Sequence, residues 1–570
     1  MSNEITSGRP HERIWPKRLP RHLAVPATSL YFNLEVSARR FPQKAACIFF
    51  GEAMTYAALH QQAEAIAGWL QHAKVKKGDR VALYMQNCPQ FMAAFYGILR
   101  ADAVVVPVNP MNKAAEISRC LIDAAARVAI CTADGAQELA AAHALMPAGE
   151  GLSHVLVARF TDAMPQGPID AELAPPAAIE AWLRFDPPLP EPACGIQFVR
   201  WSDALAERHA PDAHTSGPDD MAVLPYTSGT TGQPRGCIHT HATVMTNTVG
   251  NQWMQRGAET VLLGALPMFH ITGLVNAVCE AVYSGSTVIL LPRWQRELAG
   301  RLISRYRVTH FSCIPTMIID LFGSPEYQRF DLSSLKFLSG GGAAMPQAVA
   351  ERLLQEFGVV FAEGYGLTET CAVTHCNPPE RAKQQCLGIP VFSVDSRVVH
   401  PDTLEEVQPG EVGEIVTHGP QLFKGYWNQP EATAAAFVEI DGRPFFRTGD
   451  LGRMDEEGYF FLVDRLKRMI NASGFKVWPA EVEAMLYKHP VVQEACIISA
   501  KDSYRGETVK AVVVLRAEAR GKTSAEDITC WAREHMAAYK VPQIVQFVDA
   551  LPKSASGKVM WRLLQEQQNA

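Results

Sequence analysis

The chain has 570 residues, of which 48% are hydrophobic and 20% are charged, a balance that is ordinary for a globular protein. Its 53 basic and 59 acidic residues are interspersed and give a formal net charge of -6, which argues against a basic nucleic-acid-binding stripe. The length exceeds what one hydrophobic core normally supports, so we expect at least two domains.

Neither a targeting segment nor a membrane span is predicted. Residues 1–18 are polar and lack the apolar core of a signal peptide. The most apolar stretch, Met92–Asn109, is interrupted by Arg100 and Asp102 and is therefore unsuited to cross a bilayer. The thirteen cysteines do not have the spacing of a zinc site, so we interpret them as reduced thiols. Together these features predict a large cytoplasmic enzyme, and they leave a homodimer open.

Residues from about 43 to 140 alternate between helical and strand-like patterns. Apolar residues recur at helical spacing from Tyr56 to Gln71, whereas DRVALYM and ADAVVVPV have the unbroken apolar character of buried strands. This alternation predicts an α/β fold whose sheet has many parallel strands, with helices on its faces. From about 145 to 219 the chain is rich in Pro, Ala and Gly, which predicts an irregular surface excursion with short elements.

Three later segments repeat one pattern, a strand that ends in a glycine-rich turn: MAVLPYTSGTTG, SLKFLSGGG and VVFAEGYGLTE. Because ligands of α/β sheets lie at the carboxyl ends of strands, these three loops could meet at one site. After FFLVDRLKRMI the pattern changes. PAEVEAMLYKHP predicts a short amphipathic helix that begins at Pro479, and EACIISA and VKAVVVLR predict strands, so the end of the chain forms a small α+β domain.

The stretch YTSGTTGQPRG, Tyr226–Gly236, has the composition of a phosphate-binding loop. Its glycines allow the backbone close to a ligand, and its hydroxyl and N–H groups supply donors. It is not a Walker A loop, because Pro234 stands five residues after Gly229 and no Lys-Ser/Thr pair follows. On composition alone, a mobile surface loop is the alternative. The candidate ligand-binding residues are Thr227, Ser228, Gly229, Thr230, Thr231 and Gly232.

Five motifs together make the chain resemble the adenylate-forming superfamily of acyl- and aryl-CoA synthetases, peptide-synthetase adenylation domains and beetle luciferases, and fatty acyl-CoA synthetases most of all. The resemblance extends from about Ser29 to Leu564. In chain order the motifs are YTSGTTGQPRG, GYGLTET, FRTGDLG, DRLKRMINASGFKVWPAEVE and PKSASGK. The resemblance implies a large N-terminal domain of layered sheets and helices, residues 1–466, joined by a hinge to a small α+β C-terminal domain, residues 467–570.

The activity implied by the resemblance is that of an ATP-dependent carboxylic acid–CoA ligase. It would form acyl-AMP and pyrophosphate, and then acyl-CoA and AMP, on a medium- or long-chain fatty acid. Because a carboxylate and a triphosphate must meet, such an enzyme has to neutralise charge that develops at phosphorus. The alternatives are an acyl-AMP former that acts on an aryl acid, one that loads a carrier protein instead of CoA, and a nucleotide-binding regulatory protein without catalysis.

The resemblance assigns nucleotide roles to four of the motifs. The Thr227–Gly232 loop would hold the β- and γ-phosphates, with Arg235 where the family usually has lysine. Tyr365 would stack on adenine, Thr368 would contact the α-phosphate, and Glu369 together with Thr230 would bind Mg²⁺. Asp450 would accept the ribose hydroxyls, and Arg465 would add a second ribose and phosphate contact. The remaining candidates for this site are Gly341, Gly342, Gly364 and Gly366.

Catalysis and the second half-reaction are assigned to the C-terminal motifs. Lys558 would place its charge between the carboxylate and the α-phosphate, and Lys467 would be the hinge of a rotation between half-reactions. The ASGFK loop would then admit the pantetheine arm of CoA, with Ser473, Gly474 and Phe475 as the contacts. Asn471 stands where luciferases and coumarate ligases have lysine, which argues against an oxidative second step.

The acyl pocket is assigned to LPMFHITGL and its neighbours. His270 stands where amino-acid-activating domains have aspartate, so an amino acid would bury an unpaired ammonium group. We interpret His270 as a gate between the nucleotide and the acyl group, the alternative being a hydrogen-bonded core histidine. The other pocket candidates are small or apolar and fit a fatty or an aryl acid. They are Cys313, Ile314, Gly340, Gly341, Gly342, Ala372 and Val373.

Overall fold

The structure is a computed structural model in which two compact units can be distinguished. It describes residues 8–191, 195–227, 234–341, 345–465, 468, 470–472, 475–477, 479–502, 506–553 and 559–569. The first unit comprises Met1–Asp395 and His418–Glu439, and the second comprises Ser396–Thr417 and Ile440–Ala570. The predicted boundary between Leu466 and Lys467 lies outside the described residues and stays a prediction.

The larger sheet of the first unit has nine described strands. Its six central strands run parallel and its outer pairs are antiparallel. In spatial order the strands are Ile389–Pro390, His375–Cys376, Phe361–Tyr365, Phe337–Gly340, His310–Cys313, Val261–Gly264, Thr287–Leu290, Ala45–Phe49 and Glu52–Thr55.

The second sheet of this unit has seven described strands, and it contains the segments predicted from DRVALYM and ADAVVVPV. Because both of its faces are covered, these strands read as unbroken apolar runs. In spatial order the strands are His239–Thr240, Met221–Val223, Val104–Pro107, Arg80–Tyr84, Val128–Thr132, His154–Ala158 and Gln197–Arg200. The prediction of an irregular surface excursion over 145–219 is wrong for His154–Ala158, a buried strand whose short apolar run is hidden by Pro-rich flanks.

Helices cover the two sheets and begin where local chemistry favours a start. Thr55 caps the predicted helix by accepting the Ala58 N–H at 3.1 Å, and Pro89 occupies the first turn of the next helix. The α-helices of this unit are Tyr31–Arg40, Tyr56–His72, Pro89–Arg100, Ala114–Ala124, Ala136–Ala144, Ala177–Leu183, Trp201–Glu207, His241–Val249, Arg296–Tyr306, Pro315–Phe322, Gln347–Phe357 and Pro430–Ala436. A further helix joins Ile271–Gly273, a π-helical stretch Leu274–Glu280, and Ala281–Ser284.

The second unit is built on antiparallel strands. One sheet has the order Asp395–Val399, Gly413–His418, Arg443–Met454 and Phe437–Ile440, and Phe460–Arg465 also pairs with Arg443–Met454. The other sheet has the order Phe475–Val477, Ile470–Ala472, Gly506–Leu515 and Val492–Asp502, with Ile544–Phe547 parallel to Gly506–Leu515. Its helices are Pro479–Leu486, Ala525–His535 and Trp561–Asn569. The predicted helix at Pro479 and the two predicted strands are therefore present, and the predicted α/β class with a small α+β part is confirmed.

Candidate active site

A two-stranded ribbon closes the glycine-rich YTSGTTGQPRG segment at its base. Tyr226–Thr227 pairs antiparallel with Arg235–Gly236, which places Thr227 opposite Arg235. The Tyr226 hydroxyl anchors the ribbon by donating to Asp123 Oδ2 at 2.5 Å, and burial raises the pKa of Tyr226. The predicted loop residues Ser228, Gly229, Thr230, Thr231 and Gly232 lie outside the described residues. The structure therefore defines the two ends of the loop.

The segment around Gly425 supports this ribbon through backbone hydrogen bonds. The Ile238 N–H donates to the Gly425 carbonyl at 3.0 Å, and the Trp427 N–H donates to the Gly236 carbonyl at 2.8 Å. Gly425 has a φ of +138°, and a Cβ there would lie 2.7 Å from the Thr433 side chain, so the turn requires glycine. The ribbon is thus fixed by a segment far from it in sequence.

Tyr426 brings two of the predicted site residues to one side chain. Its ring lies 5.2 Å from the guanidinium carbon of Arg235, which is the distance of a cation–π contact. Its hydroxyl donates to Glu369 Oε1 at 2.9 Å. Burial and then the Glu369 carboxylate raise the pKa of Tyr426, so its hydroxyl remains a proton donor at neutral pH. Arg235 and Glu369, which the motifs assign to separate roles, therefore contact the same side chain, and the motifs do not identify that side chain.

The GYGLTET segment forms a tight turn after the strand Phe361–Tyr365. A Cβ on Gly366 would lie 1.3 Å from the Ala372 carbonyl oxygen, so only glycine fits. The Thr370 hydroxyl accepts the Leu367 N–H at 2.8 Å and closes the turn. Cys371 and Ala372 have φ values of +51° and +78°, and such strained backbone in non-glycine residues is concentrated at functional sites.

A buried histidine fixes the backbone of Thr368. The Nε2–H of His239 donates to the Thr368 carbonyl at 2.8 Å, and its Nδ1 lies 3.2 Å from the Thr243 hydroxyl. Burial lowers the pKa of His239 to about 4, so the ring is neutral at physiological pH and has a single N–H to donate. His239 follows the phosphate loop directly in sequence, but nothing in its local pattern identifies this contact.

The predicted glycine-rich turns at the ends of two neighbouring parallel strands lie against one another. Gly340 pairs in register with Glu363, and a Cβ on Gly341 would lie 2.4 Å from the Gly364 carbonyl oxygen. The structure therefore brings Gly341 and Gly364 together, whereas Gly342 lies outside the described residues. Tyr365 is buried beside His375, with ring centroids 5.5 Å apart.

Glu363 is a buried carboxylate that joins these turns. Its Oε1 accepts the N–H groups of Met345 and Gln385, each at 3.1 Å, and its carbonyl accepts the Asn377 N–H at 3.0 Å. Burial raises the pKa of Glu363 to about 7, although the backbone donors lower it. Sequence reasoning missed this residue, because a glutamate within an apolar strand has no motif of its own.

His270 lies at the start of the helix that follows the LPMF turn, and it is exposed with its ring 4.8 Å from the Phe269 ring. The turn is held by Asn87, which was also missed. The Asn87 amide donates to the carbonyls of Gly264 and Leu266, and its oxygen accepts the Met268 N–H at 2.8 Å. Since Asn87 follows a strand of the seven-stranded sheet and Gly264 ends a strand of the other, this one amide connects both sheets.

The other residues predicted to bind the ribose, to act as hinge, to contact CoA or to carry the catalytic ammonium group belong to the second unit. Asp450 is 1% exposed and pairs in register with Arg465, whose side chain is not described. Its backbone N–H donates to the Thr448 hydroxyl at 3.0 Å. Phe475 begins the strand Phe475–Val477. Lys467, Ser473, Gly474 and Lys558 lie outside the described residues.

Glu369 fits the role of a magnesium ligand. Mg²⁺ prefers one or two protein carboxylates and takes its other ligands from phosphate oxygens and water. The Tyr426 hydroxyl donates to Oε1 of this carboxylate. Among the described residues, no group of three or more His, Cys, Asp or Glu is placed so that it could hold a metal ion.

Comparison with known proteins identifies the family. A family model described as "AMP-binding enzyme" matches residues 34–427, and one for its C-terminal domain matches residues 481–558. The chain is 37% identical over 570 residues to a long-chain-fatty-acid–CoA ligase of Bacillus subtilis, covering 99% of each chain. It is 34% identical to a feruloyl-CoA synthase of an Amycolatopsis species, covering 92% of this chain and 96% of that one.

Solved structures agree with the sequence relatives. The anthranilate CoA ligase AuaEII in complex with anthranoyl-AMP superposes with a TM-score of 0.79 at 25% identity, covering 97% of this chain and 98% of that one. In the part of the chain that the structure describes, no helix is both long and apolar enough to span a membrane. The predicted superfamily is confirmed: the chain belongs to the AMP-binding enzyme family and is an AMP-forming acid–thiol ligase that uses ATP, CoA and a carboxylic acid.

Proposed function

We propose that this ligase activates a medium- or long-chain fatty acid, with Mg²⁺ bound to ATP, in the cytoplasm where ATP and CoA are available. The observation that carries the proposed site is the contact of Tyr426 with both Arg235 and Glu369. The relatives named long-chain-fatty-acid–CoA ligase support the fatty acid, and the apolar and small residues of the predicted pocket agree with it.

In the first half-reaction, the carboxylate oxygen of the acid attacks the α-phosphorus and pyrophosphate leaves. Arg235 binds the departing pyrophosphate, and the planar guanidinium can contact two oxygens at once. Thr368, whose backbone is held by His239, contacts the α-phosphate. Glu369 would hold Mg²⁺, and the ion would neutralise charge on the phosphates. Asp450 and Arg465 bind the ribose, and Tyr365 stacks on adenine.

In the second half-reaction, the CoA thiol displaces AMP from the acyl carbon. We assign the passage of the pantetheine arm to Ser473, Gly474 and Phe475, and the hinge to Lys467. A glycine at position 474 suits this role, because the arm has to pass close to the backbone. His270 separates the nucleotide from the acyl pocket.

The fatty-acid proposal is tested by measuring pyrophosphate release from ATP and Mg²⁺ with a panel of acids, with and without CoA. We expect release that requires one class of acid and rises with CoA, with straight-chain acids preferred over benzoate- and cinnamate-type acids. Release with an acid but without a response to CoA would instead indicate carrier-protein loading. A preference for aryl acids would overturn the fatty-acid assignment and leave the ligase activity in place.

The Tyr426→Phe substitution removes one hydroxyl and keeps the ring beside Arg235. A hydrogen bond to a charged group contributes about 1.5–3 kcal/mol, so we expect kcat/KM for MgATP to fall by about ten- to a hundredfold. The KM for the acid should change little, because Tyr426 contacts the nucleotide-binding residues. Steady-state kinetics with ATP and acid varied separately measure both quantities.

Tyr327→Phe is the matched control. The Tyr327 hydroxyl also donates to a carboxylate, that of Glu356, but Tyr327 lies in the short helical turn Tyr327–Arg329 and Glu356 in the helix Gln347–Phe357, and neither is a candidate site residue. Its kinetics should match those of the unaltered enzyme. Equal losses in the two variants would show that Tyr426 acts only through general stability.

A further inference from the structure

Residues 8–25, here called the N-terminal segment, lie before the part of the chain that the AMP-binding family model matches. In the sequence, residues 1–18 are distinguished only by their polarity, and none of the five motifs includes them. In the structure the segment starts with a short helical turn, Pro10–Ile14, and prolines follow at positions 16 and 20. Each proline fixes one backbone angle, which lowers the entropy that the segment loses when it packs against the rest of the first unit.

Trp15 packs the N-terminal segment against two buried aromatic rings. Its ring centroid lies 5.2 Å from that of Trp253 and 5.8 Å from that of Phe392, and both pairs are edge-to-face. The rings of Trp253 and Phe392 are 5.4 Å apart. Trp253 and Phe392 are each 3% exposed, whereas Trp15 is half-buried and lies on the outer side of the cluster. Because edge-to-face pairs are favourable beyond the area that they bury, Trp15 restricts the position of Trp253.

Arg18 binds the same region through hydrogen bonds. Its Nη2 donates to the Trp253 carbonyl at 3.1 Å, and its Nε donates to Glu380 Oε1 at 2.8 Å. With the Gln255 amide oxygen turned toward Arg18, that oxygen also accepts from Nε and Nη2 at 3.2 and 3.1 Å. The planar guanidinium suits this role, because its N–H groups point in fixed directions. Arg18 therefore connects the N-terminal segment to the backbone of Trp253 and to the short helical turn Pro379–Arg381.

Trp253 in turn contacts Asn377, which supports one of the predicted adenine-binding turns. The Trp253 Nε1–H donates to the Asn377 carbonyl at 3.0 Å. Asn377 is fully buried, and both its backbone N–H and its side-chain amide donate to the Glu363 carbonyl, at 3.0 and 3.2 Å. Glu363 belongs to the strand that ends at Tyr365. A continuous series of contacts therefore leads from Trp15 through Trp253 and Asn377 to the predicted adenine-stacking residue.

A second contact between the N-terminal segment and this turn involves two buried histidines. His11 lies close enough to His375 to lower its pKa, although burial of His375 is the larger cause. The His375 ring lies 5.5 Å from the Tyr365 ring. Burial lowers the pKa of His11 to about 4, so His11 and His375 are both neutral at physiological pH and do not repel each other.

We propose that the N-terminal segment completes the nucleotide site, and that Trp15 and Arg18 are positioning residues for the adenine end of that site. Both side chains contact Trp253, and neither is a candidate ligand-binding residue. Loss of either contact would allow the strand that ends at Tyr365 to shift, and the ring that stacks on adenine would then be misplaced. This inference rests on the proposed stacking of adenine on Tyr365.

The phosphate end of the nucleotide has different supports. The ribbon at the base of the phosphate loop is held by Asp123 and by the segment around Gly425. A change in the N-terminal segment should therefore weaken the binding of adenine and leave the binding of phosphate groups unaltered. The test compares two products of the proposed reaction: AMP, which contains adenine, and pyrophosphate with Mg²⁺, which does not.

Calorimetry on the full chain gives the affinity for each of these two probes. We expect Trp15→Ala to weaken AMP binding about three- to tenfold, and to change pyrophosphate binding by less than about twofold. The KM for MgATP should rise by the same factor as the dissociation constant of AMP, whereas kcat and the KM for the acid should change little. Trp15→Phe keeps an aromatic ring in the cluster and should behave like the unaltered chain.

Trp182→Ala is the matched control. Trp182 is another half-buried tryptophan of the first unit, with its ring 4.7 Å from that of Phe160 and its Nε1–H donating to Asp134 Oδ2 at 2.8 Å. Its removal should leave the affinities for AMP and pyrophosphate unaltered.

If Trp15→Ala does not fold, Arg18→Ala decides the same question, because the Arg18 side chain is partly exposed and its removal leaves the aromatic cluster in place. Arg21→Ala is the control for this variant. Arg21 lies in the same segment, pairs with Glu12 at 2.9 Å, and should be replaceable without a change in AMP affinity.

Unaltered AMP affinity in the Trp15→Ala and Arg18→Ala variants would overturn the inference. Equal weakening of AMP and pyrophosphate binding would overturn it as well, since that result would indicate a general loss of structure. Either result, with thioester still formed, would leave the ligase assignment intact. Selective loss of AMP binding, with no thioester from any acid of the panel, would instead contradict the proposed reaction while supporting the inference.

Discussion

Replacement of Lys558 by alanine is expected to abolish the first half-reaction and to spare the second. The resemblance places this ammonium group between the carboxylate and the α-phosphate, where it offsets the repulsion of two anions. Loss of one such electrostatic contact typically costs about 10²–10³-fold in rate. Pyrophosphate release in the presence of acid and ATP should therefore fall by that factor. Acyl-CoA formation from supplied acyl-AMP should stay close to that of the unaltered enzyme.

Lys553→Ala is the matched control, because Lys553 belongs to the same PKSASGK motif. Its Nζ forms an ion pair with Glu494 Oε1 at 2.7 Å, and the side chain is partly exposed. The Lys553 charge is therefore already paired on the surface of the second unit. Both half-reactions should survive this substitution. If both half-reactions also survived Lys558→Ala, the assignment of the catalytic lysine would be wrong, and loss of both would indicate damage to the fold.

Local motifs were sufficient to predict the turns of the site. SLKFLSGGG and VVFAEGYGLTE each combine an apolar run with glycines, and the structure shows two neighbouring parallel strands whose glycine turns are in contact through Gly341 and Gly364. The reason is that backbone requirements are local. Gly366 can be recognised in sequence, because only glycine can occupy a turn in which a Cβ would meet a carbonyl oxygen.

The side chains that support these turns could not be predicted in the same way. Tyr426 is 57 residues from Glu369, and His239 is 129 residues from Thr368. Such contacts are created by the order of strands in the sheets and by crossovers between them, and the residues themselves look like ordinary core residues. Glu363 and Asn87 were missed for the same reason.

The first unit should lose stability as the pH falls below about 6.5, because it contains histidines that are buried in their neutral form. Burial lowers the pKa of five histidines to about 3–4. These are His11, His239, His241, His310 and His375. Between about pH 4 and 6.5, each of these histidines is protonated in the unfolded chain and neutral in the folded chain. Their stabilisation is thus complete above their unfolded pKa of 6.5 and is lost progressively as the pH falls toward 4.

Two buried glutamates act in the opposite direction. Burial raises the pKa values of Glu280 and Glu363 to about 7, so the folded chain binds their protons more tightly than the unfolded chain does. Their stabilisation is present below about 4.5 and is lost as the pH rises through 7. In the first unit the histidines with a lowered pKa outnumber these two glutamates, so unfolding between about pH 4.5 and 6.5 takes up protons on balance and the free energy of unfolding decreases as the pH falls.

The His241→Asn variant measures how much one of these histidines contributes to the pH dependence of stability. The His241 Nδ1 accepts the Leu30 N–H at 3.1 Å, and an asparagine oxygen can replace that acceptor without titrating. The slope of the free energy of unfolding against pH, measured by urea denaturation at several pH values from 4.5 to 7, should decrease by about 1.4 kcal/mol per pH unit. His22→Asn, at an exposed position, should leave the slope unchanged. A slope that is the same in His241→Asn as in the unaltered chain would show that the buried histidines are not the source of acid lability.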